Sequence, residues 1–519
     1  MTAAPAAGAA SGWRPKHSPW LVTLAVMLAT FMEVLDTSIA NVALPHIAGN
    51  LSVTPEEATW VLTSYLVANA VILAAASWLS RYFGRKRYLA FSVTLFVVAS
   101  ALCGMAQTLP QLVLARILQG IGGGGLQPLV QAVLLESFPP EERGTAMAAY
   151  GMCVVVAPII GPTLGGWITD NFSWRWIFYI NLPIGALGLF LQNLYLEDPP
   201  WITGGKAKNI DYWGFGMLAV GIGLLQLVLD KGQEAGWFSA PWIVWSTAIG
   251  VFALACFTLW ELDQEEPVLN IRLLTNRNLT TGCLLMGATG GILYGTTAIL
   301  PIFMQTLLGY TALTSGLAMT PRGVGSLISM FLIGKLMKKL DPRLWMAFGF
   351  FILVVTCWRL SHLSLEMTRA SIGWTLVLNG LAMGFVFVPM TTMSMATLRQ
   401  DEIGQGTGIY SLLRNLGASI GISMMINYQS RQVQSHHVSL VSHLSVYDAG
   451  YRQFAAHLAQ VTGRAGMALP AAYRQVMSQA ELLSFNDCFR ALAFICLLAI
   501  PACALFQKGS GPAVEHMVE

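Results

Sequence analysis

Long apolar runs, separated by short polar segments, make up most of this 519-residue chain. Each run is about 20 residues long, the length that an α-helix needs to cross the hydrocarbon core of a bilayer. The pattern therefore predicts fourteen membrane-spanning helices. Their expected positions are 20–41, 58–79, 88–106, 110–132, 145–169, 175–195, 212–230, 241–261, 279–303, 312–334, 344–360, 371–394, 404–428 and 487–506.

Composition supports this interpretation, because 55% of the residues are hydrophobic and only 11% are charged. Soluble domains carry about 25% charged residues, so most of the surface of this protein is expected to face lipid. The net charge of +3 is too small to indicate a nucleic-acid partner. The eight cysteines form no CxxC pair, which argues against a metal site or redox chemistry.

Basic residues show which side of the membrane each connection occupies. With both termini in the cytoplasm, seventeen of the 29 Lys and Arg residues fall in cytoplasmic segments and four in the short outer connections or span ends. The positive-inside rule predicts this bias. An even number of spans with cytoplasmic ends is therefore expected.

Two cytoplasmic connections resemble each other, "SRYFGRKR" at 80–87 and "GKLMKKLDPR" at 334–343. Their recurrence favours two bundles related by internal symmetry, spans 1–6 and 9–14, with spans 7 and 8 inserted between them. The alternative is that short cytoplasmic loops are basic in general. The long outer segment, 429–486, is expected to hold two short amphipathic helices, and its histidines lack the spacing of a helical metal site.

Two carboxylates, Glu33 and Asp36, lie inside the first apolar run. Each ionised group near the bilayer centre costs about 2.5–3.5 kcal/mol on insertion scales. Their i, i+3 spacing places them on one helix face, which must line a cavity or meet a cation. Such a face suits a proton relay, and the alternative is a pair held by one arginine to fix helix packing. Asp36 is the stronger candidate for function.

Three arginines lie inside predicted spans: Arg116, Arg322 and Arg414. Arg116 is the expected counter-charge for the acids of the first span, because it stays protonated and lies mid-span. The second half offers no mid-span acid for Arg322 or Arg414. These two are expected either to hold broken helix ends or to attract an anionic group.

Glycine and proline are concentrated in two of the spans. "GIGGGG" at 120–125 matches GxGxxG formally, but it follows no strand, so we interpret it as a site of close helix packing. "GMCVVVAPIIGPTLGG" at 151–166 combines small residues with two prolines, which loosen a helix and let it rock against a neighbour. Since the chain has no Walker A motif, an ion gradient would have to supply energy for active transport.

The stretches "LDTSIANVALP" (35–45), "LARILQG" around Arg116 and "APIIGPTLGG" (157–166) resemble the signature motifs of the major facilitator superfamily. More narrowly, they are similar to its fourteen-span drug:proton antiporters of the EmrB/QacA type, and the long loop before the last span is closest to EmrB-type proteins. "PMTTM" at 389–393 adds to this likeness, which covers nearly the whole chain.

The resemblance implies a proton-coupled multidrug efflux antiporter of the bacterial inner membrane, not an enzyme. It also implies an all-α major facilitator fold of two six-helix bundles around a cavity open alternately to each side. The expected domains are a disordered cytoplasmic tail (1–18), an N-terminal bundle (19–200), two inserted helices (201–270), helices 9–13 (271–428), an outer amphipathic loop (429–486), the last helix (487–506) and a cytoplasmic tail (507–519).

The resemblance also assigns roles to residues. The proton-coupling group would be Asp36, Glu33 and Arg116, although Glu33 is extra to the family motif. The antiporter motif of the fifth helix would comprise Gly151, Pro158, Gly161, Pro162, Gly165 and Gly166. The cytoplasmic gate loop would comprise Gly84, Arg85 and Lys86. The substrate cavity would be lined by Asn41, Tyr65, Asn69, Gln119, Met390, Tyr410 and Arg414.

The expected ligands are lipophilic drugs and protons, with no cofactor beyond the proton gradient, no metal and no nucleic acid. EmrB-type pumps work with a periplasmic adaptor and an outer-membrane channel, so this chain is expected to do the same. One departure concerns the gate loop, where the family motif has an aspartate and this chain has Arg81. The alternatives are a dedicated exporter of one metabolite or siderophore, and a membrane receptor or scaffold that transports nothing.

Overall fold

A computed structural model describes residues 15–139, 141–199, 202, 211–264, 267–337, 340–442, 449, 451–453, 456, 460 and 468–507. Within these residues, thirteen helical segments are long and apolar enough to cross a membrane, which confirms the predicted all-α membrane fold. Most of the two predicted tails lies outside the described residues. The α-helices are α1 (Pro19–Leu51), α2 (Pro55–Ala58), α3 (Trp60–Phe83), α4 (Arg85–Met105), α5 (Leu109–Gly123), α6 (Leu126–Ser137), α7 (Arg143–Asn171), α8 (Trp176–Tyr179), α9 (Asn181–Tyr195), α10 (Tyr212–Lys231), α11 (Pro241–Glu261), α12 (Arg277–Thr306), α13 (Ala312–Leu336), α14 (Pro342–Leu360), α15 (Arg369–Met395), α16 (Ile403–Ser442) and α17 (Ala468–Ala502).

The fourth span was predicted as one helix, but the structure has two helices in its place. Between them, α5 ends at Gly123 and α6 begins at Leu126. The glycines around this break allow close packing, since a Cβ on Gly122 would lie 2.6 Å from the backbone nitrogen of Phe96. Thirteen long helices and this interrupted one correspond to the fourteen predicted spans.

The two bundles share one pattern of neighbours. In the first bundle, α1 packs against α7, α3 against α5, and α4 against α9. In the second bundle, α12 packs against α16, α13 against α15, and α14 against α17. These pairs correspond in order, as the internal symmetry inferred from the two basic connections predicts.

The inserted helix α10 lies against both bundles, since it contacts α3 of the first and α16 of the second. Polar side chains fix these contacts. Thr63 Oγ1 donates to Asp230, and Gln226 Nε2 donates to Ser419 Oγ at 2.8 Å. The second inserted helix, α11, packs on α10.

The outer segment 429–486 has a different form from the one expected. Residues 429–442 continue α16 without a break, and residues 468–486 are the first part of α17. The second predicted short helix is therefore not separate from the last span, and most of the first one lies outside the described residues. With 40 residues, α16 is about 60 Å long at 1.5 Å per residue, twice the thickness of a bilayer core. Outside the core it pairs with α17, and His436 Nε2 lies 2.7 Å from Asp487 Oδ2.

Two hydrogen bonds between the bundles lie toward the expected cytoplasmic side. Thr145 Oγ1 at the start of α7 donates to the carbonyl of Gly334 near the end of α13 at 3.3 Å, and Ser77 donates to the carbonyl of Gly404. In the outer halves, by contrast, the polar side chain of Asn41 is exposed. Among the described residues, these hydrogen bonds therefore close the space between the two bundles on the expected cytoplasmic side.

Candidate functional site

Asp36 is buried in the first bundle and accepts hydrogen bonds from three side chains on two other helices. Arg116 Nη1 lies 2.6 Å from Oδ2, while Gln119 Nε2 and Asn181 Nδ2 lie 2.9 Å and 2.7 Å from Oδ1. Arg116 and Gln119 come from α5, and Asn181 begins α9. This donor set, with one guanidinium and two amides, matches an ionised carboxylate.

Arg116 is fully buried, and other groups of the same bundle hold its guanidinium in place. Its Nε donates to the carbonyl of Val61 at 3.1 Å, and its Cζ lies 4.3 Å from the centre of the Tyr65 ring. A charge pair this deep loses its hydration, so each partner depends on the other. The predicted pairing of Arg116 with Asp36 is present in the structure.

Glu33 lies one turn before Asp36, but its carboxylate joins a different network. Its Oε1 accepts from Asn69 Nδ2 on α3 and from Gln127 Nε2 on α6, each at 3.2 Å. Three residues rotate a helix by about 300°, so two side chains at this spacing diverge by about 60° and can meet different neighbours. The sequence therefore places both acids on one face, whereas the structure gives each its own partners.

Arg414 connects the Glu33 network to the second bundle. It projects from α16, and its Nη2 donates to Oε1 of Gln127. Gln127 thus contacts both groups through the two ends of its amide. Nearby, Gln131 Nε2 donates to the hydroxyl of Tyr150 at 3.0 Å.

Arg322 occupies a different position in the second bundle. Its Nη1 donates to Thr297 Oγ1 of α12 at 2.7 Å, while its Nη2 is buried without a hydrogen-bond partner among the described residues. In the described part of the chain it forms no ion pair with a carboxylate. This agrees with the expectation that the second half holds no mid-span acid for it.

The glycines of the α7 motif make two different kinds of contact. A Cβ on Gly151 would lie 2.8 Å from Met330 of α13, so this glycine faces the second bundle. Gly161 and Gly165 face α1 instead, against Ser38 and Ile39. A Cβ on Gly166 would have no neighbour within 4 Å, and the helix runs without interruption through Pro158 and Pro162.

The predicted gate loop is a tight turn with a buried ion pair beside it. Gly84 has φ +84°, a left-handed conformation that favours glycine, and it joins α3 to α4. Arg85 forms a bidentate ion pair with Glu136 at the end of α6, with Nη2 3.1 Å from Oε1.

Two other basic residues near this turn donate hydrogen bonds to backbone carbonyls. Lys86 Nζ donates to the carbonyl of Asn193 at 2.7 Å. Arg81, near the end of α3, donates to the carbonyl of Pro267 at 3.4 Å.

The residues predicted to line the cavity have different environments. Asn41 is exposed, whereas the other six are buried in this state. Four of them belong to the two acid networks, namely Tyr65, Asn69, Gln119 and Arg414. Tyr410 and Met390 lie in the core of the second bundle, where the Tyr410 hydroxyl is 2.9 Å from Thr391 Oγ1.

The sequence prediction missed two members of the networks, Asn181 and Gln127. Both are neutral amides inside or beside apolar runs, which is the signal that could have identified them. Each donates a hydrogen bond to one of the acids and links helices that are distant in sequence.

A profile of the Major Facilitator Superfamily matches residues 26–422 of this chain. The Fatty acid resistance protein FarB of Neisseria gonorrhoeae is 36% identical over 514 residues, which cover 98% of this chain and 99% of FarB. The Multidrug export protein EmrB of Haemophilus influenzae is 36% identical over 489 residues, covering 92% of this chain and 94% of that protein. EmrB of Escherichia coli (strain K12) is 34% identical over 502 residues, covering 96% and 98%.

Among solved structures, the human organic anion transporter MFSD10 has a similar fold. The TM-score is 0.60 at 12% sequence identity, and the match covers 93% of this chain and all of that one. At this identity the likeness concerns the fold alone. It agrees with the helical fold described above.

Proposed function

Because the chain belongs to the major facilitator superfamily, as the profile match and its full-length relatives show, we propose that it is a multidrug exporter that exchanges protons for lipophilic compounds. Relatives named as multidrug export proteins support the substrate class. The chain is a multi-pass protein of the bacterial inner membrane, with thirteen long apolar helices in its described part.

The observation that carries the proposal is the pair formed by Asp36 and Arg116 at the centre of the first bundle. In this cytoplasm-closed state the Asp36 carboxylate accepts hydrogen bonds from three side chains, as an ionised carboxylate can. A proton that binds Asp36 removes the attraction to the Arg116 guanidinium. The pair then loosens, and helices α1 and α5 are released from one of their contacts.

Alternating access follows from this exchange. A proton from the outer side neutralises Asp36, the bundles rock, and the proton leaves on the cytoplasmic side, where a drug then binds. The small residues of α7 at the bundle contact and along α1 permit the rocking. One elementary charge that crosses 100 mV supplies about 2.3 kcal/mol, which drives the export.

We extend the proposal to a tripartite pump with a periplasmic adaptor and, through it, an outer-membrane channel. The paired ends of α16 and α17 support this step, because these helices of 40 and 35 residues are longer than the roughly 20 residues that a bilayer core needs, and their connection is expected on the outer side. The ring of His437 packs edge-on against Tyr473 there, with 5.6 Å between the centroids. Such an extended pair of helices offers an adaptor a surface to bind.

A second candidate function is export of a narrower class, lipophilic acids. One relative is named for resistance to fatty acids. Arg322 supports this candidate, because it lies inside the membrane without a carboxylate partner in the described structure. A lipophilic acid could supply the missing negative charge.

Substrate-dependent proton movement in proteoliposomes tests the proposal. Ethidium added to vesicles that hold the purified protein should release protons, and Asp36→Asn should abolish the signal. A receptor or scaffold would give no signal with the wild type, which would refute transport. Growth of efflux-deficient cells in ethidium, novobiocin or palmitate then tests breadth, since protection against palmitate alone would contradict the multidrug assignment.

A further inference from the structure

A single amide links buried opposite charges of the two bundles. Gln127 donates to Glu33 Oε1 of α1 through Nε2, and accepts from Arg414 of α16 through Oε1. Glu33 is 4% exposed and Arg414 is 7% exposed. The acid and the base therefore interact across the bundle interface without touching, with one neutral side chain between them.

The two oxygens of Glu33 have unequal surroundings. Oε1 accepts hydrogen bonds from Asn69 and Gln127, whereas Oε2 is buried without a partner among the described residues. A proton can therefore bind Oε2 while both bonds to Oε1 stay in place. Asp36 differs in this respect, because both of its oxygens accept hydrogen bonds.

The charged and titratable groups around Glu33 are few. Asp36 lies on the same helix, Tyr65 on α3, Tyr150 on α7 and Arg414 on α16. The two tyrosines are neutral at ordinary pH, and Asp36 already has Arg116 as its partner. The positive charge that interacts with an ionised Glu33 is therefore that of Arg414, in the opposite bundle.

We propose that Glu33 is a second proton-binding site, and that Gln127 and Arg414 convert its charge into closure of the cytoplasmic gate. This inference rests on the proposed proton-coupled transport. When Glu33 is ionised, the bridge from Glu33 through Gln127 to Arg414 holds the bundles together. When a proton forms an O–H bond at Oε2, the carboxylate becomes neutral and Arg414 loses its counter-charge.

The direction of this effect agrees with exchange of a proton for a drug. The state seen here has its bundles in contact near the cytoplasm, with the bridge formed. A proton that reaches Glu33 from the outer side weakens that state and favours opening to the cytoplasm. Release of the proton there restores the charge, and the bridge forms again as the bundles close over a bound drug. Asp36 and Glu33 thus carry protons in the same direction but act on different contacts.

The first test measures protons moved per ethidium in proteoliposomes, from pyranine and ethidium fluorescence. Glu33→Gln keeps the size and the acceptor oxygen of the side chain but cannot exchange a proton. We expect the ratio to fall by about one proton, while ethidium counterflow, which needs no net proton movement, continues. Glu234→Gln is the matched control, because Glu234 is an exposed acid paired with Lys231, and its ratio should stay at the wild-type value.

The second test measures the cytoplasmic gate directly. Spin labels on the exposed sites Glu141→Cys and Leu340→Cys report the distance between the cytoplasmic ends of the two bundles. Glu33→Gln and Arg414→Gln should each shift the distribution toward the open state at high pH. The double variant should shift it no further, because both changes break the same bridge.

The outcomes separate the two proposals. If the wild type exchanges no protons for ethidium or the other compounds, the proposed function fails. If it does, and Glu33→Gln leaves the ratio unchanged, this inference alone is wrong. Additive shifts in the double variant would also overturn it. Should Glu33→Gln fail to fold, Arg414→Gln decides, since an unchanged distance distribution in that variant excludes the bridge.

Discussion

Asn181 Nδ2 lies 2.7 Å from Asp36 Oδ1, so the first residue of α9 is a direct partner of the central acid in α1. The same amide group also lies 3.0 Å from Ser100 Oγ of α4. Three helices of the first bundle thus meet at one carboxamide that is fully buried. Because the amide donates to the carboxylate oxygen, it stabilises the ionised form of Asp36 in this state.

Replacement of Asn181 should therefore change proton coupling. Asn181→Leu keeps the size of the side chain but leaves Gln119 as the remaining donor to Oδ1, and a hydrogen bond to a charged group contributes about 1.5–3 kcal/mol. We expect the pH dependence of ethidium efflux to change, because Asp36 is the proposed proton carrier and this amide contacts its carboxylate directly. Efflux in vesicles over a range of pH measures it. Asn171→Leu is the control, because Asn171 is exposed and bonds only within its own helix turn, and an equal shift in that variant would contradict the argument.

The sequence predicted the fold and the acids for the same reason. Runs of about 20 apolar residues can be recognised one at a time, and a charge inside such a run, such as Asp36, stands out against them. Asn181 and Gln127 carry no charge and cost less to bury, so they do not stand out. Their importance comes from contacts between helices that sequence spacing does not specify.

The sequence also could not predict that Glu33 and Asp36 have different hydrogen-bond partners. An i, i+3 spacing indicates a shared face but not which neighbours each side chain meets. In the structure, Arg116 donates a hydrogen bond to Asp36, whereas Gln127 and Asn69 donate hydrogen bonds to Glu33. Likewise, the extension of α16 past the membrane depends on its packing with α17, and the sequence pattern suggested separate short helices instead.

We expect that a lysine cannot perform the role of Arg116 in transport. The guanidinium uses Nε for the Val61 carbonyl and Nη1 for both Asp36 and Gln119, and it lies over the Tyr65 ring. A lysine ammonium has one nitrogen and cannot reach these groups together. We expect Arg116→Lys to lose at least about tenfold in ethidium efflux, a change of about 1.4 kcal/mol or more.

The matched control is Arg175→Lys, at the outer end of the same bundle, where the guanidinium donates to Asn50 and to the carbonyl of Ala106. This variant should keep most of the wild-type efflux, because its charge lies away from the two acids. Full activity in Arg116→Lys would show that charge alone suffices at the central site.

The ion pair between Arg85 and Glu136 should support stability more than transport. Both side chains are buried, and the pair joins the gate loop to the end of α6 inside one bundle. Removal of one partner from a buried pair costs about 3–5 kcal/mol. Arg85→Gln should therefore lower the unfolding temperature of the detergent-solubilised protein, measured by intrinsic fluorescence. Arg87→Gln is matched to it, because Arg87 is two residues away and exposed. Equal unfolding temperatures for the two variants would contradict a stabilising role for the pair.

Neighbouring glycines of α7 should respond very differently to the same substitution. A Cβ on Gly165 would lie 2.9 Å from Ile39 Cγ2 and 3.3 Å from its Cα, so a larger side chain has to push α1 away from α7. A Cβ on Gly166 would have no neighbour within 4 Å. Both residues are helical, so the two changes carry the same intrinsic effect on the helix.

We expect Gly165→Val to reduce ethidium efflux strongly, because α1 carries Glu33 and Asp36 and its displacement alters both networks. Gly166→Val should retain most of the activity. Comparable losses in the two variants would show that the helix requires glycine for its own flexibility rather than for its contact with α1.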